Sequence, residues 1–248
     1  MKPTFIISSP FDTYSGYGAR SRDLIKAIIA TDKYNVKLLS QRWGNTPFGF
    51  CKDNPEWGGL LDLITPQPLT PKPDIWAQIT VPNEFQPLGK YNIGFTAGME
   101  TTLVHGSWTE GMNRMDINFV SSEHSKKAFM NSEFEKRDNK NNLIGKVKIE
   151  KPIEVLFEGI DLDVYKPTND IFDLSEVKEQ FAYLFVGHWM QGDMGEDRKN
   201  VGLLIKAFYE TFKNKSKKPA LILKTSTVGA SYMDRDAILR KIRVIQNT

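Results

Sequence analysis

Short apolar runs alternate with stretches of helical periodicity along most of the chain. Apolar residues gather at 4–8, 36–40, 75–79, 91–96 and 117–120, and runs of this length between polar or turn-forming residues predict strands buried on both faces. Between the first two, Leu24, Ile25, Ile28 and Ile29 recur at helical spacing, which predicts a helix starting near Gly18. Further helices are expected over 107–114 and from 122 to 131, the latter with Ser122 placed to cap it. Strands alternating with helices predict an α/β fold built on a parallel sheet with helices on both sides. Residues 41–72, irregular and proline-rich through "TPQPLTPKPD", read as mostly loop. Residues 132–152, with "KRDNKNNLIGKVKIEK", read as an exposed basic insertion.

The segment "IEVLFEGIDLDVYKP" reads as a strand that runs into a turn and a proline, closing a first Rossmann-like domain over 1–165. A second unit over 180–248 then shows strand "YLFVG", helix "VGLLIKAFYETF", strand "ALILKTS" and helix "DRDAILRKIRVI". Two strand–helix repeats leave an open sheet edge, so this unit is expected to be completed by a further segment or a partner chain.

Composition narrows the function classes. The 248 residues, 40% of them hydrophobic, suffice for one large or two modest cores. With 33 basic and 30 acidic residues the formal charge is +3, so no overall field draws the protein to nucleic acid or membrane. The single cysteine, Cys51, excludes an internal disulfide framework, and "MKPTFIISSPFD" holds too short an apolar stretch for a signal peptide. "FAYLFVG" falls far short of the roughly 20 residues that cross a bilayer. These features point to a cytoplasmic protein without a transmembrane segment. The three histidines and one cysteine lack metal-ligand spacing, and no metal is assigned.

The stretch "SPFDTYSGYGARSRDLIKAI" raises the question of a cofactor. Gly16-Tyr17-Gly18-Ala19-Arg20-Ser21 comes close to the G-x-G-x-x-G dinucleotide fingerprint. Against NAD stand the residues that separate these glycines from the strand, and "LLSQRW" where an acid for the ribose belongs. Arg20 and Arg22 fall in the first helical turn, where the helix dipole disfavours cations. They predict a nearby anion, with glycine N–H groups approaching a phosphate, or else both guanidinium groups point into water. In the second unit, "FVGHWMQGDMGEDRKNVGLLIKAF" repeats the arrangement, with Arg198 and Lys199 directly before Asn200, read as an N-cap. Two basic helix starts, one per domain, are expected to face across a cleft and grip a diphosphate.

"VSSEHSKKAF", "IEVLFEGIDLDVYKP" and "YLFVG…DRKNVGLLIKAF", in that order and spacing, resemble the pattern of family-4 (group 1) glycosyltransferases of the GT-B fold. "GFTAGMETTLVHGSW" is similar to that family's loop bordering the active cleft. The resemblance implies two Rossmann-like domains and transfer of a sugar from a nucleotide-sugar donor with retention of anomeric configuration. It implies no obligatory metal or cofactor. Arg198 and Lys199 would stabilise the departing nucleoside diphosphate, with Gly16, Tyr17 and Gly18 near it from the other domain. His188 stands where the family often has arginine, and Lys224 ends a strand at the carboxyl edge where ligands bind.

Glu100 is a candidate cleft carboxylate or a solvated loop residue, and His105 a proton acceptor, a sugar-hydroxyl partner or a structural group. The family's donor-side E-x7-E pair is missing: after Lys199 the only glutamate is Glu210, and Glu150 to Glu158 matches the spacing by coincidence. The chain is therefore expected to be an N-terminal domain plus the start of a donor domain, with little activity alone. Loops 41–72 and 98–108 would shape the acceptor, which stays open among glycan, lipid, protein and DNA. The alternative is a non-catalytic binding or scaffold protein that keeps the fold, with a hydride-transferring enzyme a distant third.

Overall fold

The computed structural model describes residues 2–66, 71–189, 192, 194–227 and 232–247. The chain divides into two compact units, Met1–Tyr165 and Lys166–Thr248.

The first unit is built on β1 (Thr4–Ser9), β2 (Asn35–Ser40), β3 (Ile75–Ile79), β4 (Tyr91–Thr96), β5 (Ile117–Val120) and β8 (Ile153–Val155). These form one parallel sheet in the order β2-β1-β3-β4-β5-β8. The chain leaves β1 for β2 on one side and returns to β3 on the other, so strand order reverses at β1. Such a reversal marks the place where ligands bind in open α/β sheets.

Apolar residues fill both faces because both are covered. Phe5, Ile7, Ala77 and Ile79 pack on one face with Ile25 of α1 (Gly16–Ala30). Ile6 and Trp76 pack on the other with Met112 of α3 (Gly106–Asn113) and Phe129 of α4 (Glu123–Met130). The expected Ser122 cap is present: its side chain accepts from Ser125 N.

One expectation is corrected and a second gains detail. The segment read as loop contains α2 (Phe50–Asp53) and a 3-10 helix, Pro55–Leu63, while 67–70 lie outside the described residues. Proline at the helix start and the pair Gly58-Gly59 blur its periodicity, yet Leu60 is buried in the core. The polar insertion forms an antiparallel hairpin of β6 (Phe134–Arg137) and β7 (Leu143–Val147), tied down by the Lys136–Glu110 and Lys146–Glu133 ion pairs.

In the second unit β9 (Ala182–Val186) and β10 (Ala220–Lys224) pair in parallel, with α5 (Val201–Phe212) and α6 (Tyr232–Gln246) alongside. Trp189, Val201, Ile205, Ile238 and Ile245 form its core, while Leu184 and Val186 of β9 remain exposed. Among the described residues no helix is long and apolar enough to cross a membrane.

Candidate functional site

The Gly-Tyr-Gly segment is the first turn of α1, two residues earlier than its spacing suggests. Ser15 caps it, accepting from Gly18 N at 2.9 Å, which supplies one of the helix's orphan donors with a partner. The two glycines serve different ends. A Cβ on Gly18 would fall 2.4 Å from the Thr13 carbonyl oxygen, whereas one on Gly16 would meet nothing within 4 Å.

With α1 starting at Gly16, Arg20 and Arg22 lie in its second turn rather than its first, and neither needs a bound anion. Arg22 is buried, donates to the carbonyls of Phe11 (2.6 Å) and Thr13 (3.0 Å), and lies 3.4 Å above the Phe50 ring. Arg20 donates to the carbonyls of Leu156 (2.8 Å) and Phe157 (3.3 Å). Main-chain carbonyls, brought close only by the fold, take the place assigned to a phosphate. Near Arg22, burial followed by the charge of Asp12 pushes the Cys51 thiol up to about 12, which removes it as a nucleophile at neutral pH.

Tyr17 joins three separate parts of the chain. Its ring stacks on Trp43 with centroids 4.0 Å apart. Its hydroxyl lies 3.1 Å from Thr96 Oγ1 and accepts from Ala97 N at 3.0 Å. Burial first, then the negative charges of Glu158 and Glu100, raise its pKa above the ordinary value. Tyr17, Thr96 and Trp43 therefore meet at the carboxyl edge of the sheet, with Glu100 and Glu158 on the loops that follow β4 and β8.

The serine motif holds this edge in place. Ser121 Oγ and Ser125 Oγ both donate to the Ala97 carbonyl, at 3.0 and 2.9 Å. Gly98 takes φ +84°, and a Cβ there would fall 2.4 Å from Ser125 Oγ. Glu100 is exposed on the loop that follows. His105 caps α3: its Nδ1 accepts from Ser107 N at 3.2 Å and lies 2.8 Å from Ser107 Oγ. Accepting through Nδ1 puts the proton of the neutral ring on Nε2, which is then a donor.

In the second unit, Arg198, Lys199 and Lys224 are exposed. His188 Nδ1 pairs with Ser226 Oγ at 3.0 Å. Asn200 does not cap α5: it adopts φ 53° and makes no side-chain cap bond. Buried Asp197 does so instead, accepting from Val201 N at 2.9 Å and Gly202 N at 3.4 Å. A carboxylate thus already occupies the helix terminus to which the basic pair draws attention. A cavity of about 310 Å³, lined by Thr225, Ser226, Asp234 and Arg235 among others, opens at the carboxyl end of β10.

Thr96 and Trp43 escaped the sequence reading, and Glu158 entered it only as a coincidental spacing match. Glu158 had one available signal, its place just beyond a strand's carboxyl end. Thr96 is part of an ordinary strand and Trp43 part of an irregular loop. Among the described residues no group of His, Cys, Asp and Glu is placed to hold a metal ion. No protein-family model matches the chain, and no curated protein sequence matches it.

Proposed function

We propose that the protein is a retaining glycosyltransferase of the GT-B type, in which the first unit receives the acceptor and the second the nucleotide-sugar donor. The observation that carries this reading is the cluster around Tyr17. A hydroxyl and an aromatic pair meet at the carboxyl edge of a parallel sheet whose strand order reverses at β1, with two carboxylates on the loops that follow β4 and β8. These groups suit a polyhydroxylated substrate, since carboxylates accept hydrogen bonds from sugar hydroxyls and aromatic rings cover their C–H faces.

Chemistry at the donor follows from charge. As the glycosidic bond breaks, negative charge grows on the departing diphosphate, and cations fixed nearby lower the barrier. Arg198, Lys199, Lys224 and His188 take this role. Glu100 accepts a hydrogen bond from the acceptor, and the Nε2–H of His105 donates to a sugar hydroxyl. No metal or cofactor is required by this scheme.

A second reading, a binding protein that keeps the fold without the chemistry, draws support from Asp197, whose carboxylate fills the N-terminus of α5. Thermal melting in uridine and guanosine diphosphates separates the two. A nucleotide-dependent rise in Tm supports the transferase, and no rise with either nucleotide refutes it.

A further inference from the structure

We infer that the second unit binds a second copy of this chain, whose acidic linker over 168–180 enters the aromatic groove between β9 and α5 and meets the lysine loop that follows α5. The inference is independent of the glycosyltransferase reading.

The groove is a cavity of about 300 Å³ lined by Tyr183, Leu184, Leu204, Phe208, Phe212 and Leu221 among others. The Tyr183 ring lies 6.3 Å from that of Phe208 and 6.2 Å from that of Phe212, and the two phenylalanine rings are 5.0 Å apart, so they form one aromatic wall. Among the described residues β9 pairs only with β10, and its sequence AYLFV carries no charge. An edge strand with neither charge nor proline leaves its main-chain groups open to a further strand. Directly after Phe212, Lys213, Lys215, Lys217 and Lys218 are all exposed, with no acidic residue among them and no ion pair to any of them among the described residues. Such a run of like charge attracts an acidic partner.

The complement is carried by the same chain. Residues 168–180, TNDIFDLSEVKEQ, set Asp170, Asp173, Glu176 and Glu179 against the single Lys178. Ile171 is 90% exposed and Phe172 83%, so the linker leaves its large apolar side chains uncovered within its own copy, as interaction segments do. An acidic apolar segment and a basic apolar groove thus both stand exposed on one molecule. Two copies related by a twofold axis satisfy both at once, each linker entering the other copy's groove. An extended linker paired with the β9 edge presents alternate residues to one side, which brings Phe172 and Leu174 into the groove together. A nucleic acid or an anionic membrane offers charge to the lysines but no main chain to the β9 edge, so the polypeptide partner is favoured.

The test is sedimentation velocity of the full chain over a range of concentrations. A dimer is expected, weakening as salt rises because exposed charges are screened. The variants K213E/K215E/K217E/K218E and D170K/D173K/E176K should each raise the dimer dissociation constant about tenfold or more. An equimolar mixture of the two should restore the dimer, since each groove then meets a linker of opposite charge. All the substituted side chains are exposed, and melting curves verify that both variants are folded. A monomer at every concentration, a dimer indifferent to both variants, or a mixture that stays monomeric overturns the inference. Binding of the chain to phosphatidylserine vesicles or single-stranded DNA without dimerisation assigns the lysine loop to that partner instead and likewise overturns it.

Discussion

The hydroxyl of Tyr17 accepts the backbone N–H of Ala97 at 3.0 Å, tying the first turn of α1 to the loop that leaves β4 across 80 residues of sequence. Replacing Tyr17 with phenylalanine keeps the stack on Trp43 and removes this acceptor. The expected cost is about 1 kcal/mol in urea-induced unfolding, the usual net value of one hydrogen bond.

Tyr17 also predicts a response to alkali. Its raised pKa means that the folded protein retains the phenolic proton at a pH where the unfolded chain has released it. Its contribution is therefore complete below the unfolded value near 10 and is lost as pH rises through the higher folded value. Difference absorbance of phenolate should show that Tyr17→Phe removes a late-titrating tyrosine. An unchanged alkaline titration would contradict the assignment.

Gly18 and Gly16 should respond oppositely to alanine. At Gly18 the new methyl group meets the Thr13 main-chain oxygen, so Gly18→Ala is expected to lower stability by about 1–3 kcal/mol, as overpacking does. Gly16→Ala has open space and gains from reduced freedom of the unfolded chain, by up to about 1 kcal/mol. Comparison of urea midpoints checks both signs.

Asp197 provides a test in the second unit. Asp197→Ala removes the acceptor for Val201 N and Gly202 N and should cost about 1–2 kcal/mol, the value of an N-terminal cap. Asn200→Gly should be neutral or stabilising, because the positive φ at that position suits glycine. If the order of these two effects in thermal melting is reversed, Asn200 is the cap after all.

The basic pair beside that cap bears on the donor. Lys199→Ala should abolish the nucleotide-dependent rise in Tm while leaving the Tm of the unliganded protein nearly unchanged, since Lys199 is exposed and surface substitutions seldom move stability by more than about 0.5 kcal/mol. A retained nucleotide shift would place the diphosphate elsewhere.

Much of the fold was legible from local pattern. Runs such as 75–79 and 117–120 appear as β3 and β5 because strands covered on both faces need unbroken apolar stretches, and Ser122 caps α4 because capping involves residues only three apart. The 3-10 helix at Pro55–Leu63 was obscured by its glycines and irregular spacing, although Leu60 is buried.

The candidate site was legible only in part. Tyr17 and Glu100 were visible as residues, but not the meeting of Tyr17 with Thr96 and Trp43. Arg20 and Arg22 indicated unsatisfied positive charge near a helix start, and that much was determined by sequence alone. Only the tertiary structure decided what would satisfy it, by carrying the carbonyls of residues 11 and 13 to one guanidinium and those of 156 and 157 to the other. The physical reason is range. Periodicity and capping are set by neighbours within a turn or two, whereas every residue offers a main-chain carbonyl, so the choice among them depends on which strands the sheet sets side by side.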